Sequence, residues 1–193
     1  MKILIVRHGE STANTKGLIS GANSDPLTDN GKQQLDKART FLSRFSDFDN
    51  STVFTTSTIR ASDSAKALFP LNNVVIDDSF LEIDAGVYSN KTWGHFFSDN
   101  PELRGKKLNE ISFSEGESYA DLYLRTTSSF NLIQKCNSNI VFVIHGGAIG
   151  CLLHYLLGVP FELFPKFVID NASMSLISKT NDSYIAEYIN LTP

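Results

Sequence analysis

Two histidines stand at the ends of uninterrupted aliphatic runs. His8 closes Ile3-Leu4-Ile5-Val6-Arg7-His8 and is followed by Gly9, Glu10 and Ser11; His145 closes Ile140-Val141-Phe142-Val143-Ile144-His145 and is followed by Gly146 and Gly147. Neutral imidazole is a good nucleophile near pH 7, because its ordinary pKa is about 6.5. Arg7, beside the first histidine, carries a planar fork suited to gripping an anion in bidentate fashion. If the two runs are neighbours in one sheet, two imidazoles and a guanidinium meet in one crevice, a site built to hold and attack an anion.

The elements around them decide whether that meeting happens. Aliphatic runs without alternation read as strands buried on both faces. In open α/β sheets, chemistry gathers beyond the carboxyl ends of such strands. A glycine after each histidine lets the backbone turn tightly and approach a ligand. Further strands are expected at 52–55, 74–76 and 184–191, with shorter extended segments at 167–170 and 173–178. Helices are expected from Thr28, as N-cap, to about Phe45, over 59–68, around 92–99, from Ser118 to about Lys135, and over 147–157. Ser118 with Asp121 reads as a variant capping box. Strands alternating with helices predict an α/β fold of three layers, α/β/α, with a mainly parallel central sheet and right-handed crossovers.

A length of 193 residues suits one domain over 1–193, with the irregular stretch at about 87–117 as a small cap. The net charge of −4 gives no general attraction to nucleic acid or to an acidic membrane surface, so any anion site must be a local concentration of positive groups. Cys136 and Cys151 are too few for a disulfide scaffold and lack metal-ligand spacing; they read as buried, reduced thiols. The apolar start reaches Arg7 too soon for a secretory or membrane-spanning segment, and a cytoplasmic location is expected. Oligomeric state stays open, a homodimer included.

Two more segments complete the pattern. Thr56-Ser57-Thr58-Ile59-Arg60-Ala61-Ser62-Asp63-Ser64-Ala65 puts Arg60 where a strand gives way to a helix, and Leu81-Glu82-Ile83-Asp84-Ala85-Gly86 puts a carboxylate at the end of an apolar segment. With the two histidine motifs, in this order, they resemble the histidine phosphatase superfamily, also called the phosphoglycerate mutase-like family. The resemblance extends through Ser20-Gly21, Pro26-Leu27-Thr28 with Gly31, Glu115-Gly116-Glu117-Ser118 and Leu157-Gly158-Val159-Pro160.

The resemblance implies a phosphomonoester hydrolase for a small phosphorylated metabolite. His8 would become phosphohistidine, and Arg7, Arg60 and His145 would cradle the phosphoryl group. Glu82 would protonate the leaving oxygen and then deprotonate the attacking water. Asn14, Ser20 and Gly21 fall where relatives contact phosphate or substrate, and the backbone N–H groups at Gly9 and Gly146 are candidate anion donors. No metal or cofactor is expected, since two arginines and the second histidine take the electrostatic role a cation would fill. His95 and His154 read as ordinary hydrogen-bonded residues, Ser11 and Ser57 as turn or capping residues, and Trp93, Phe96 and Phe97 as packing.

Two departures bear on the substrate. Val87-Tyr88-Ser89-Asn90 stands where many relatives carry a tryptophan and a second glycine, and Ser64 stands where threonine is frequent. Ala85 to Glu117 is short and holds only Lys91, Arg104, Lys106 and Lys107 as basic residues. Cofactor-dependent phosphoglycerate mutases carry a longer, basic insertion there, so hydrolysis is favoured over the mutase alternative. The segments from Asn14 to Gly21 and from Pro26 to Gly31 lean toward α-ribazole phosphatase-like enzymes, with broad specificity the companion reading. A non-catalytic phosphate-binding module is a further alternative, weakened by the full set of core residues.

Overall fold

A computed structural model describes residues 1–19, 25–43, 46–136, 138–181 and 183–193. Six strands form one sheet: β1 (Lys2–Arg7), β2 (Thr52–Thr55), β3 (Val74–Ile76), β4 (Ile140–Ile144), β5 (Met174–Thr180) and β6 (Ser183–Leu191), in the order β3-β2-β4-β1-β5-β6. The first four in that order are mutually parallel, and β5 and β6 add an antiparallel edge. The helices are α1 (Thr12–Thr15), α2 (Asp29–Leu42), α3 (Ile59–Leu68), α4 (Trp93–Asp99), α5 (Tyr119–Ile133) and α6 (Gly146–Leu156).

The central strands explain the layering. Successive side chains of a strand point to opposite faces. Leu4 and Val6 of β1, with Val141 and Val143 of β4, pack with Leu35 and Ala38 of α2 and Ala65 and Leu68 of α3. Ile3 and Ile5, with Ile140, Phe142 and Ile144, pack on the other face with Leu122 and Phe130 of α5 and Ile149 and Leu152 of α6. Both faces are covered, which is why these strands read as continuous apolar runs. Phe142 is fully buried, with the Phe80 ring centroid 4.9 Å away and that of Phe54 5.6 Å away. Truncating it to alanine would cost about 3–5 kcal/mol, enough to threaten a domain of ordinary stability.

The expected caps form. The Thr28 side chain accepts from Gly31 N at 2.9 Å, and Ser118 and Asp121 make a reciprocal capping box. Helix α2 ends at Leu42 rather than near Phe45, which lies outside the described residues. The extended segment expected at 167–170 is not a strand. Its polar backbone groups bond to side chains instead of a ladder: Ile169 O accepts from Arg7, and Asp170 N donates to Asn190 Oδ1 at 2.7 Å. Among the described residues no helix is long and apolar enough to cross a membrane.

Candidate active site

Register brings the two histidines together. Strands β1 and β4 are adjacent and parallel, with Arg7 opposite Ile144, so the next residue of each chain segment is a histidine. His8 N donates to Ile144 O at 3.0 Å, continuing the ladder one step past the strands. The two imidazole centroids lie 5.1 Å apart at an interplanar angle of 65°. Both rings are buried, at 3% and 0% exposure.

Hydrogen bonds assign the nitrogens. His8 Nδ1 lies 2.7 Å from Gly9 O, a carbonyl that can only accept, so the ring proton sits on Nδ1 and the Nε2 lone pair is free for chemistry. Arg60 Nε donates toward that Nε2 at 3.3 Å. His145 Nε2 is 2.9 Å from Thr56 Oγ1, and its buried Nδ1 has no hydrogen-bond partner among the described residues, leaving capacity for a ligand. Burial, with Arg7 and Arg60 close by, holds the His8 ring well below the ordinary imidazole pKa. Burial does the same to His145, helped by His8, Arg60 and Arg7. Both rings are therefore neutral at pH 7, as a nucleophile must be.

The arginines approach from two elements. Arg60, on the first turn of α3, is 1% exposed and does not pair with Asp63, whose nearest cation is Lys66 at 3.6 Å. Ser64, one turn on, donates to Arg60 O at 2.6 Å and accepts from Gly9 N at 3.1 Å, tying α3 to the loop after β1. Gly9 N–H is thus spent inside the protein, which corrects the expectation that it serves an anion. Arg7 Nη1 donates to Ile169 O at 2.6 Å, and its buried Nε has no partner among the described residues.

A cleft of about 280 Å³ opens beside this cluster, lined in part by Arg7, Asn14, Glu82, Gly146, Gly147 and Tyr119. Glu82 follows a 3-10 turn, Asp78–Phe80, rather than a strand. Its carboxylate accepts from Gly147 N at 3.0 Å (Oε2) and 3.1 Å (Oε1), at the positive end of α6. A Cβ on Gly147 would lie 2.1 Å from Glu82 Oε1, so only glycine lets this carboxylate approach the helix start. Asn14 Oδ1 accepts from Ser11 N and Asn171 Nδ2. Ser20 and Gly21 lie outside the described residues.

The sequence profile of the histidine phosphatase superfamily (branch 1) matches residues 3–192. The chain belongs to that superfamily. It is 27% identical over 199 residues to phosphoserine phosphatase 1 of Hydrogenobacter thermophilus, covering 100% of this chain and 93% of that protein. It is also 27% identical over 193 residues to a Yersinia enterocolitica protein named "Probable phosphoglycerate mutase GpmB", covering 96% and 88%. In fold it matches the alpha-ribazole phosphatase from Shigella flexneri with a TM-score of 0.89 at 23% identity, covering 100% and 97%.

The structure of this histidine phosphatase superfamily member adds residues that sequence reasoning passed over. Thr56 and Thr58 hold His145; both stood inside the quoted Arg60 segment, but nothing in one dimension pairs them with residue 145. Arg125 of α5 donates to Ser79 O, Leu81 O and Glu82 O and forms a bidentate pair with Glu117. It clamps the backbone that carries Glu82, and its place in an ordinary helix gave no signal. His154 behaves as expected, buried and accepting from Lys166 N at 3.2 Å, and His95 pairs at the surface with Asp99. Phe96 is buried packing, whereas Trp93 also lines the cleft. Cys151 is free and buried; the Cys136 side chain is outside the described residues.

Proposed function

We propose that this protein hydrolyses the phosphate monoester of a small metabolite through a phosphohistidine on His8. The observation that carries the reading is the His8 ring itself: Nδ1–H is fixed on Gly9 O, and the free Nε2 is neutral and flanked by Arg60. Its lone pair forms the N–P bond as the P–O bond to the leaving group breaks. Glu82, protonated, gives its proton to the departing oxygen. Water then enters, Glu82 takes its proton, the new P–O bond forms and the N–P bond breaks, releasing inorganic phosphate. Arg7, Arg60 and His145 offset the charge on the equatorial oxygens throughout. The cleft-facing positions of Asn14 and Gly146 support roles in holding the substrate.

Residues 1–193 act here as one domain with a cap at 87–117, a reading supported by Phe96, Ile111 and Phe113 sharing a core cluster with β1 and β4. The work is placed in the cytoplasm, where Cys151 stays reduced. Turnover of para-nitrophenyl phosphate in EDTA, with an acid-labile phosphoenzyme trapped in wild type and absent in His8→Ala, tests the mechanism. Tight phosphate binding without turnover would instead mean a binding module, and isomerisation of phosphoglycerate without net hydrolysis would mean a mutase.

A further inference from the structure

The two ends of the cleft differ in chemistry. The phosphate end is cationic, with Arg7 in the lining and Arg60 buried behind it. Away from it the wall is made by Leu18, Ile19, Trp93, Leu108, Phe164 and Phe167. Tyr119 adds a phenol that burial keeps uncharged, its pKa pushed up. Among the described lining residues the only charged side chains are Arg7 and Glu82. Residues 20–24, outside the description, are Ser-Gly-Ala-Asn-Ser and bring no cation either. Of the lysines near the mouth in sequence, Lys107 donates to Glu162 O, and Lys91 and Lys166 are exposed and outside the lining.

Electrostatics then constrains the alcohol half of the ester. A carboxylate or second phosphate in this wall would lose its water, find no cation, and face Glu82. A ring or aliphatic chain would instead cover Trp93 and its neighbours and gain by leaving water. We infer that the substrate is a monoester bearing a single anionic group, its phosphate, on an apolar, preferentially aromatic, alcohol; this rests on the hydrolase reading for where the phosphate sits. Phosphorylated hydroxy acids, phosphorylated amino acids and sugar bisphosphates are poor fits to such a wall.

Two phosphonates that cannot be hydrolysed read the wall without catalysis: phenylpropylphosphonate and phosphonobutyrate, matched in linker and differing in ring against carboxylate. Calorimetry on the wild-type protein should find the phenyl compound bound at least about tenfold more tightly. Trp93→Ala should shrink that ratio to within about threefold, the loss expected when an apolar contact is removed. Leu108→Lys, which adds a cation to the wall, should shift the ratio toward the carboxylate by about tenfold or more, and it carries the test if Trp93→Ala fails to fold. Equal or tighter binding of phosphonobutyrate by wild type, or a ratio that Leu108→Lys leaves unmoved, overturns the inference, as does failure of both phosphonates to bind. Turnover of phenylpropyl phosphate is scored separately: binding in the expected order without turnover sinks the hydrolase reading and leaves this one standing.

Discussion

The floor of the cleft and its wall are built on different principles. The floor is made from the ends of neighbouring parallel strands and the first turn of α3, and its polar groups are buried and interlocked: His8 on Gly9, His145 on Thr56, Gly9 on Ser64. The wall comes largely from 3-10 turns and loops, whose backbone bonds span short stretches, such as Tyr88 N to Ala85 O, Leu103 N to Asn100 O and Ile111 N to Leu108 O. Moving a floor residue means breaking the sheet register, which also carries the core. Changing a wall residue disturbs a local turn. Such a molecule can keep one phosphoryl chemistry while its choice of alcohol drifts, the division expected when a rigid scaffold carries variable loops.

That contrast can be broken most severely at the floor. His8→Ala should lower kcat by roughly 10⁴-fold or more and remove the phosphoenzyme, because no other group supplies the attacking lone pair. Near-normal rates would relocate the nucleophile. Arg60→Ala should cut kcat/KM by about 10³-fold and weaken inhibition by vanadate in parallel, since it removes charge that faces the transferring group; an unchanged inhibition constant would take Arg60 out of the cradle.

Between floor and wall sits Glu82. Glu82→Gln should slow turnover by about 10²-fold for poor leaving groups and much less for para-nitrophenolate, which departs without a proton. An equal loss for both would argue that the substitution upsets the start of α6 instead. Arg125→Lys should reduce kcat by about tenfold through misplacement of the Glu82 backbone, with KM and phosphate affinity nearly unchanged. A larger effect on KM than on kcat would contradict a positioning role.

The smallest effect is on stability. His8 and His145 stay neutral when folded, while the unfolded chain takes up protons below about pH 6.5, so the unfolded state binds more protons there. Stability should hold above neutrality and decline as pH falls through the ordinary histidine range, read as Tm between pH 7.5 and 5.5. Saturating phosphate should lessen the decline, because the anion favours protonated rings. A Tm flat with pH, or a phosphate effect independent of pH, would mean that the rings titrate normally in the fold.

Much of the floor could be read in one dimension because it depends on local chemistry. The aliphatic runs before His8 and His145 specify doubly covered strands, Thr28 and Ser118 specify helix starts, and the four ordered segments name the groups that meet. Expectation and structure part company where backbone polarity is satisfied by distant partners. Residues 167–170 look like a strand by composition, yet their carbonyl and amide groups answer to Arg7 and Asn190. Gly9 looks like an anion donor, yet Ser64 from another element claims its N–H.

Residue types, their order and the alternation of strand with helix were properties of the chain alone, since propensity and apolar patterning act over a few residues. Which nitrogen of His8 is free, that Thr56 holds His145, that Arg125 clamps the Glu82 backbone and that the wall carries no second cation were decided only in three dimensions. Each depends on contacts between residues tens of positions apart, whose pairing is set by strand register and side-chain packing.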